Sequence, residues 1–498
     1  MEIISIKPFL AVFVSVMAAV LIVLSRKHRD LRESWTILAS IIKFIIIVSM
    51  LPDILDGDTI SYRLFTILPN ISFAFRVDAF GLFFGILASS LWILTSLYSI
   101  GYMRNLNEHS QTRYFACFAI ALSSTIGVAF SANLLTLFIF YEILTLTTYP
   151  LVIHKETPEA KSAGRKYLVY TLSGGVVLLF AIILTYSLAN TLDFTNNGFI
   201  NAHTSVETLR FLFLLYMIGF GVKSAFMPLH SWLPTAMIAP TPVSALLHAV
   251  AVVKAGIFGV LRTIYFVFGT DLLYSLNLGI PLAYFVSFTI IIASMFALMQ
   301  DNLKKRLAYS TISQLSYIAL GAALLNKSGL IGGVLHIAHH AFMKITLFFC
   351  AGAIYVTTKK ENISEMDGIG RDMPITMLMF FICVLGMCGF PPVCGFVSKW
   401  YLILGSIEAN QLPLVIVLLA SALLNIAYFF PIVIRAFFKK PKNNTEYRDK
   451  RKYRYKEAPL SMLIPITLTA IISVIMGIFP DAPYLFLNIV KVIIENVI

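Results

Sequence analysis

The chain has 498 residues, 58% of them hydrophobic and only 13% charged. That balance excludes a soluble globular protein, because apolar runs of membrane-spanning length recur almost end to end. The formal net charge of +13 raises the idea of a nucleic-acid partner, but the cations lie in short loops between apolar runs, which argues against one.

Fourteen spans are predicted, roughly 8–25, 35–52, 78–102, 114–131, 134–153, 167–190, 209–233, 240–268, 279–299, 307–325, 329–357, 374–406, 413–437 and 459–480. With the N-terminus outside, Arg26, Lys27, Arg29 and Arg32 fall inside. So do Lys155 to Lys166, Lys304 to Arg306, Lys359 to Arg371 and the run Arg435–Lys456, while the outer loops hold scattered cations such as Lys7, Arg63 and Lys327. This positive-inside bias predicts a multi-pass protein of the cell (inner) membrane with both termini on the outer face. The first run, from Pro8 to Ser25, has no small-residue cleavage site and reads as a retained helix.

Spans one and two read as anchors, with Lys43 a snorkelling or helix-facing lysine. Residues 53–77 form an outer loop or short hairpin, and Asp78 is a helix-start acid. Span five, NLLTLFIFYEILTLTTYPLVI, carries Glu142 in mid-membrane; Lys223 is its candidate partner. The nearby Thr145, Thr147 and Thr148 either carry a water chain or bond back to their helix.

Span seven is broken at Pro228 and holds Lys223; span eight holds His248 and Lys254. Six residues turn an ideal helix about 600°, leaving those two roughly 120° apart. They share a face only if the helix is irregular between them. In span eleven, GGVLHIAHHAFMKITLFFCAGA, His336, His340 and Lys344 follow at i, i+4 and i+8 along one side, with His339 beside them. Imidazoles that titrate near neutrality beside a lysine suit a proton relay. No HExxH spacing is present, and no metal is expected. Span twelve, MFFICVLGMCGFPPVCGFVSKWYLILG, is broken at Pro391 and Pro392 and followed by Lys399. Two broken helices with buried lysines, in corresponding places of the two halves, point to an internal repeat around a mid-membrane site.

Five cysteines (Cys117, Cys350, Cys383, Cys388 and Cys394) sit in apolar runs and read as small core residues without disulfide or metal role. The loop KKPKNNTEYRDKRKYRYKE reads as a lipid-headgroup-facing segment, and the last eighteen residues as one short amphipathic helix. No Gly-rich nucleotide loop and no iron–sulfur cysteine spacing is present, so no cofactor is expected.

The motifs FMPLHSWLPTAM, APTPVSALLHA, HIAHHAFMK and GFPPVCGFVSKWY, in this order, resemble the antiporter-like membrane subunits of respiratory complex I, membrane-bound hydrogenases and the multisubunit Mrp cation/proton antiporters. The resemblance runs from about Asp78 to Arg435. It implies an all-α polytopic fold of fourteen helices: N-terminal helices over 1–113, two inverted five-helix repeats over 114–268 and 279–437, and a last helix with its tail over 459–498. It also implies that Glu142, Lys223, His248, Lys254, His336, His340, Lys344 and Lys399 form the proton or cation pathway. The span-twelve motif and AHHAFMK look most like the D-type member of Mrp antiporters; PTPVSALLHAVAVVKAG looks more like their A-type member or the long complex I protein. In YSTISQLSY, where the family often has histidine, this chain has Gln314.

The expected partners are the lipid bilayer, other membrane subunits, protons and a monovalent cation such as sodium. The expected function is translocation within a larger complex, with any redox catalysis on other subunits. The alternatives are a pumping component of an NADH:quinone oxidoreductase or hydrogenase, and a non-conducting scaffold. The topology is testable. A reporter inserted in the 441–456 loop is expected on the cytoplasmic side and one at the C-terminus outside; both on one side would remove the final span or invert it.

Overall fold

A computed structural model describes residues 1–200, 204–440, 456–481 and 486–497. Residues 441–455, most of the basic loop, lie outside the described residues. The long helices are α1 (Lys7–Leu24), α2 (Arg29–Val48), α3 (Ala79–Leu106), α4 (Gln111–Ala129), α5 (Leu134–Val152), α6 (Pro158–Ala189) and α7 (Val206–Ser224). They continue as α8a (Thr241–Ala249), α8b (Val252–Arg262), α9 (Gly279–Leu298), α10 (Leu303–Ala323) and α11 (Lys327–Thr358). The chain ends in α12a (Pro374–Cys388), α12b (Gly395–Glu408), α13 (Leu412–Phe438), α14 (Leu460–Ile478) and α15 (Phe486–Glu495).

Among the described residues, eleven helices are long and apolar enough to cross a membrane. The expected spans seven, ten and twelve fall outside that set for identifiable reasons. Helix α7 carries Glu207, Arg210 and Lys223, α10 opens on Lys304, Lys305 and Arg306, and α12 is cut into two pieces. The architecture is nonetheless helical throughout the membrane region, and α15 is the expected short tail helix, burying Leu487, Ile489, Val490, Ile493 and Ile494.

Several helix starts follow from single polar residues. Asn133 accepts from Thr136 N at 2.8 Å, and Asn326 from Gly329 N at 2.8 Å. Each pairs with an amide that the first turn leaves without a partner. The 53–77 segment is the hairpin: β2 (Thr59–Leu68) runs antiparallel to β3 (Ile71–Val77). The sheet gains β1 (Glu2–Ile4), parallel to β2, which the apolar pattern did not reveal. Arg76 N donates to Phe130 O at 2.7 Å and Ala132 N to Ala74 O at 3.1 Å, tying this sheet end to the α4–α5 turn. The opposite, basic end is tied by Leu303 N to Glu361 O at 3.0 Å and Lys304 Nζ to Ala239 O at 2.8 Å.

Helices α8a, α8b and α11 form the middle. Every residue from Thr241 to Phe268 is buried. Helix α11 contacts α8a, α10, α12a, α12b, α14 and α15, so side chains on any of its faces meet protein rather than lipid. Lys43 is buried, not snorkelling: its ammonium donates to Leu122 O at 3.3 Å and lies 5.0 Å from the Trp92 ring. Cys350, Cys383, Cys388 and Cys394 are buried, Cys117 is half-buried, and all five are free thiols.

Asp78 does cap α3, accepting from Gly81 N at 2.7 Å, but it does more. Both its oxygens meet Arg262, Nη2 to Oδ1 at 2.8 Å, and Phe80, Phe194, Phe258 and Phe266 surround the guanidinium. The bidentate pair joins the start of α3 to the end of α8b. Removing one partner of a buried pair strands the other charge, so Arg262→Leu is expected to destabilise the protein by about 3–5 kcal/mol. Adding Asp78→Asn to that variant should recover most of the loss, read as the unfolding midpoint in detergent.

Candidate functional site

The first half of the site lies where α7 ends. Ala225 adopts a left-handed conformation (φ 57°) and closes the helix directly after Lys223 and Ser224. The Lys223 ammonium donates to the carbonyl of Tyr141 and sits 3.3 Å from the centre of the Tyr141 ring. Glu142 is the next residue, yet the expected ion pair with Lys223 is not made. The two feel each other electrostatically, while one buried oxygen, Glu142 Oε1, has no hydrogen-bond partner. The carboxylate rests on Gly175 of α6, where a Cβ would lie 2.4 Å from Oε1, so a larger residue there would push the carboxylate aside. Thr145, Thr147 and Thr148 bond back to their own helix, to Tyr141 O, Ile143 O and Leu144 O.

The irregularity required between His248 and Lys254 is present. Helix α8a stops at Ala249 and α8b starts at Val252, with Ala251 N reaching back to Leu246 O at 2.9 Å. Both side chains turn toward α11. The His248 ring packs at 4.9 Å on Phe348, and the charge of Lys344 reaches it. Lys254 interacts electrostatically with His336, His340 and Lys344. Among the described residues, neither ring nitrogen of His248, nor the Lys254 ammonium, has a hydrogen-bond partner, and both side chains are closed to solvent.

Along α11 the i, i+4, i+8 reading holds. The His336 and His340 rings stack at 6.0 Å. His336 Nδ1 is 2.9 Å from Ser398 Oγ on α12b, and its Nε2 is 3.0 Å from Gln314 Oε1 on α10. An amide oxygen only accepts, so Nε2 carries the proton and Nδ1 accepts from the serine. His339 leaves this line and borders a small cavity with Leu335, Met476 and Phe486. Lys344 donates to Ser310 Oγ at 2.9 Å.

Beyond Lys344 the structure adds residues that the sequence did not single out. Ser310 Oγ is 3.0 Å from Tyr428 OH, which donates to Asn425 Oδ1. Asn425 Nδ2 donates at 3.1 Å to Met387 O, and the Lys399 ammonium donates to that same carbonyl. The reason it is free is local. The amide that would bond Met387 O in a continuous helix belongs to residue 391, a proline without N–H. The break in span twelve thus makes the acceptor that holds its lysine. Asn425, a polar residue inside an apolar span, was the legible signal; Ser310 and Tyr428 gave none.

At the basic end a cavity of about 550 Å³ opens among Lys166, Ser231, Thr235, Lys304, Lys305 and Tyr309. It lies beside the short turn Trp232–Thr235 that follows α7. Among the site residues the imidazoles lie along one helix and its neighbour rather than around a common centre, which does not fit a metal site.

The transmembrane family described as NADH:quinone oxidoreductase/Mrp antiporter matches residues 131–425, a stretch that includes every residue from Glu142 to Lys399 discussed above. The chain is 32% identical over 404 residues, 80% of each protein, to NADH-quinone oxidoreductase subunit N of Desulforudis audaxviator. It is 30% identical over 497 residues to the A1 component of a Na⁺/H⁺ antiporter of Staphylococcus haemolyticus, covering 93% of this chain and 60% of the other. Among solved structures, a chain of the Mrp complex from Dietzia sp. DQ12-45-1b has the same fold, with a TM-score of 0.87 at 20% identity over 99% of this chain and 98% of that one. A chain of the membrane-bound sulfane sulfur reductase, an archaeal respiratory complex, also reaches 0.87, at 24% identity and the same coverage.

An ammonium in apolar surroundings costs about 2.5–3.5 kcal/mol on insertion scales, and Lys254 has nothing to offset it. Lys254→Met is therefore expected to fold and to unfold at a higher temperature than the parent chain, measured by thermal unfolding in detergent.

Proposed function

The chain belongs to the NADH:quinone oxidoreductase/Mrp antiporter transmembrane family, and on that premise we propose that it is a proton- or monovalent-cation-translocating subunit of a larger membrane complex of that kind. The observation that carries this reading is the row of ionisable groups from Glu142 to Lys399, all but the half-buried Glu142 closed off inside the protein, where uncompensated charge is costly. A scaffold that conducts nothing has no use for such a row. The basic end is assigned to the cytoplasm, with the cavity there as the inlet; the halves over 114–268 and 279–437 are assigned as the two repeats.

The step is electrostatic. When Glu142 turns toward Lys223 the pair holds the ammonium charged. When it turns away, as in the present geometry, Lys223 rests on a carbonyl and a ring and can release its proton toward Lys254. Each charge biases its neighbours' protonation through the same Coulomb terms. The proton passes His248, His336 and His340 to Lys344, with water bridging gaps that direct hydrogen bonds do not close. Lys344 and Lys399 are then linked through Ser310, Tyr428 and Asn425. The Asn425 amide passes no proton; it competes with Lys399 for the Met387 carbonyl and so couples the two lysines.

The span-twelve motif favours the D-type place in an Mrp-type Na⁺/H⁺ antiporter. The 80% mutual coverage with a subunit N of an NADH-quinone oxidoreductase favours, as the second reading, a proton pump driven by redox chemistry on its partners.

Lys399 tests the role. Lys399→Met and Lys399→Arg are both expected to assemble on a native gel and both to abolish cation-driven pH change in everted vesicles. A guanidinium stays protonated at any physiological pH and cannot release a proton. Full transport by Lys399→Arg would remove the proton-carrier role.

A further inference from the structure

Away from the pathway, at the basic end, two turns bring together residues that transport does not use. Glu108 and His109 lie between α3 and α4, and His154 follows α5. One ligand atom from each, a carboxylate oxygen and two imidazole nitrogens, lies within 4.8 Å of the others. His154 Nε2 is 3.8 Å from Glu108 Oε2, and the two imidazoles stack at 4.8 Å.

The decisive feature is His154. Its side chain is 0% exposed, and among the described residues neither ring nitrogen has a hydrogen-bond partner of ordinary geometry. A buried polar group left this way costs stability, and such orphans call for a reason. Tyr114 meets the ring edge-on at 5.7 Å and closes one wall. The nearby cation, Arg113, is engaged elsewhere: Nη1 donates to Glu156 at 2.6 Å and Nη2 to His154 O at 3.4 Å.

We propose that Glu108, His109 and His154 form a binding site for a divalent transition-metal ion of the zinc type, clamping the α3–α4 turn to the turn after α5. Two imidazoles and one carboxylate, with a fourth position left to water, are a donor set that suits Zn²⁺ and Co²⁺ and not the all-oxygen preference of Mg²⁺ or Ca²⁺. Bonds of about 2.0–2.1 Å in a tetrahedron put ligand atoms roughly 3.4 Å apart. The cluster must contract by little more than an ångström, which rotation of the half-exposed His109 supplies. The proposal does not depend on the transport reading.

The test titrates the tag-free full chain in detergent with Co²⁺, followed by visible absorption and by displacement with Zn²⁺. One Co²⁺ per chain is expected, with the intense bands of a four- or five-coordinate ion, displaced by Zn²⁺ and untouched by excess Mg²⁺. His154→Ala, His109→Gln and Glu108→Gln should each weaken binding at least tenfold, whereas His28→Ala leaves it unchanged. Unfolding midpoints in EDTA separate loss of the site from loss of the fold. Absence of Co²⁺ uptake at micromolar concentration, or uptake that survives in folded His154→Ala, would overturn the site.

Discussion

The interior depends on how a lysine ammonium is held in apolar surroundings without a counter-ion. Lys43, Lys223 and Lys399 each rest on a backbone carbonyl, and Lys344 on a serine hydroxyl. No salt bridge to any of the four is found among the described residues. A carbonyl dipole offsets part of the desolvation cost of a charge but does not neutralise it. The balance between charged and neutral forms is therefore left to neighbouring charges. Asp78 and Arg262 show the opposite solution: a permanently charged guanidinium and a carboxylate in bidentate contact, fixed and suited only to holding two helices together.

That constraint bears on the break in span twelve. Leu122 and Tyr141 lie inside unbroken helices, where the second lone pair of a carbonyl accepts from the lysine; on α12 the acceptor is freed outright. Pro391 frees it at Met387, and Asn425 on α13 fixes its direction by donating to it. The interruption between α8a and α8b serves another end, aiming His248 and Lys254 at α11 although ideal spacing separates them. Gly175 leaves room for the Glu142 carboxylate, and Gly256 lets α8b approach the backbone of Lys223 and Ser224, with a Cβ there only 2.5 Å from Ser224 N. The small residues are thus as much a part of the site as the charged ones.

Much of this was legible before any coordinates. Charges in apolar runs have so few explanations that Glu142, Lys223, Lys254, Lys344 and Lys399 announce themselves, and the spacing of His336, His340 and Lys344 fixes a common side. What was not legible is what depends on distant chain segments. Asp78 reads as a cap because its nearest cue is local, while Arg262 lies 184 residues away. Glu142 and Lys223 interact electrostatically as opposite charges should, but their attraction says nothing about whether a nearer carbonyl and an aromatic face hold the lysine directly. Ser310 and Tyr428 are ordinary residues in polar-flecked helices, and only the fold brings them against Lys344 and Asn425.

Gln314 shows how one substitution can redirect such a site. A histidine there could take the proton that His336 Nε2 carries; the amide oxygen only accepts the bond and has no basic nitrogen to receive it. His336 is thereby held in one tautomer, its Nδ1 turned to Ser398 on the helix that bears Lys399. Under the transport reading, a branch into α10 through position 314 is closed, while Ser310, one helical turn away on the same helix, is bonded to Lys344. Under that reading α11 meets α12b at two places, through Ser398 beside His336 and through the Ser310, Tyr428 and Asn425 row beside Lys344.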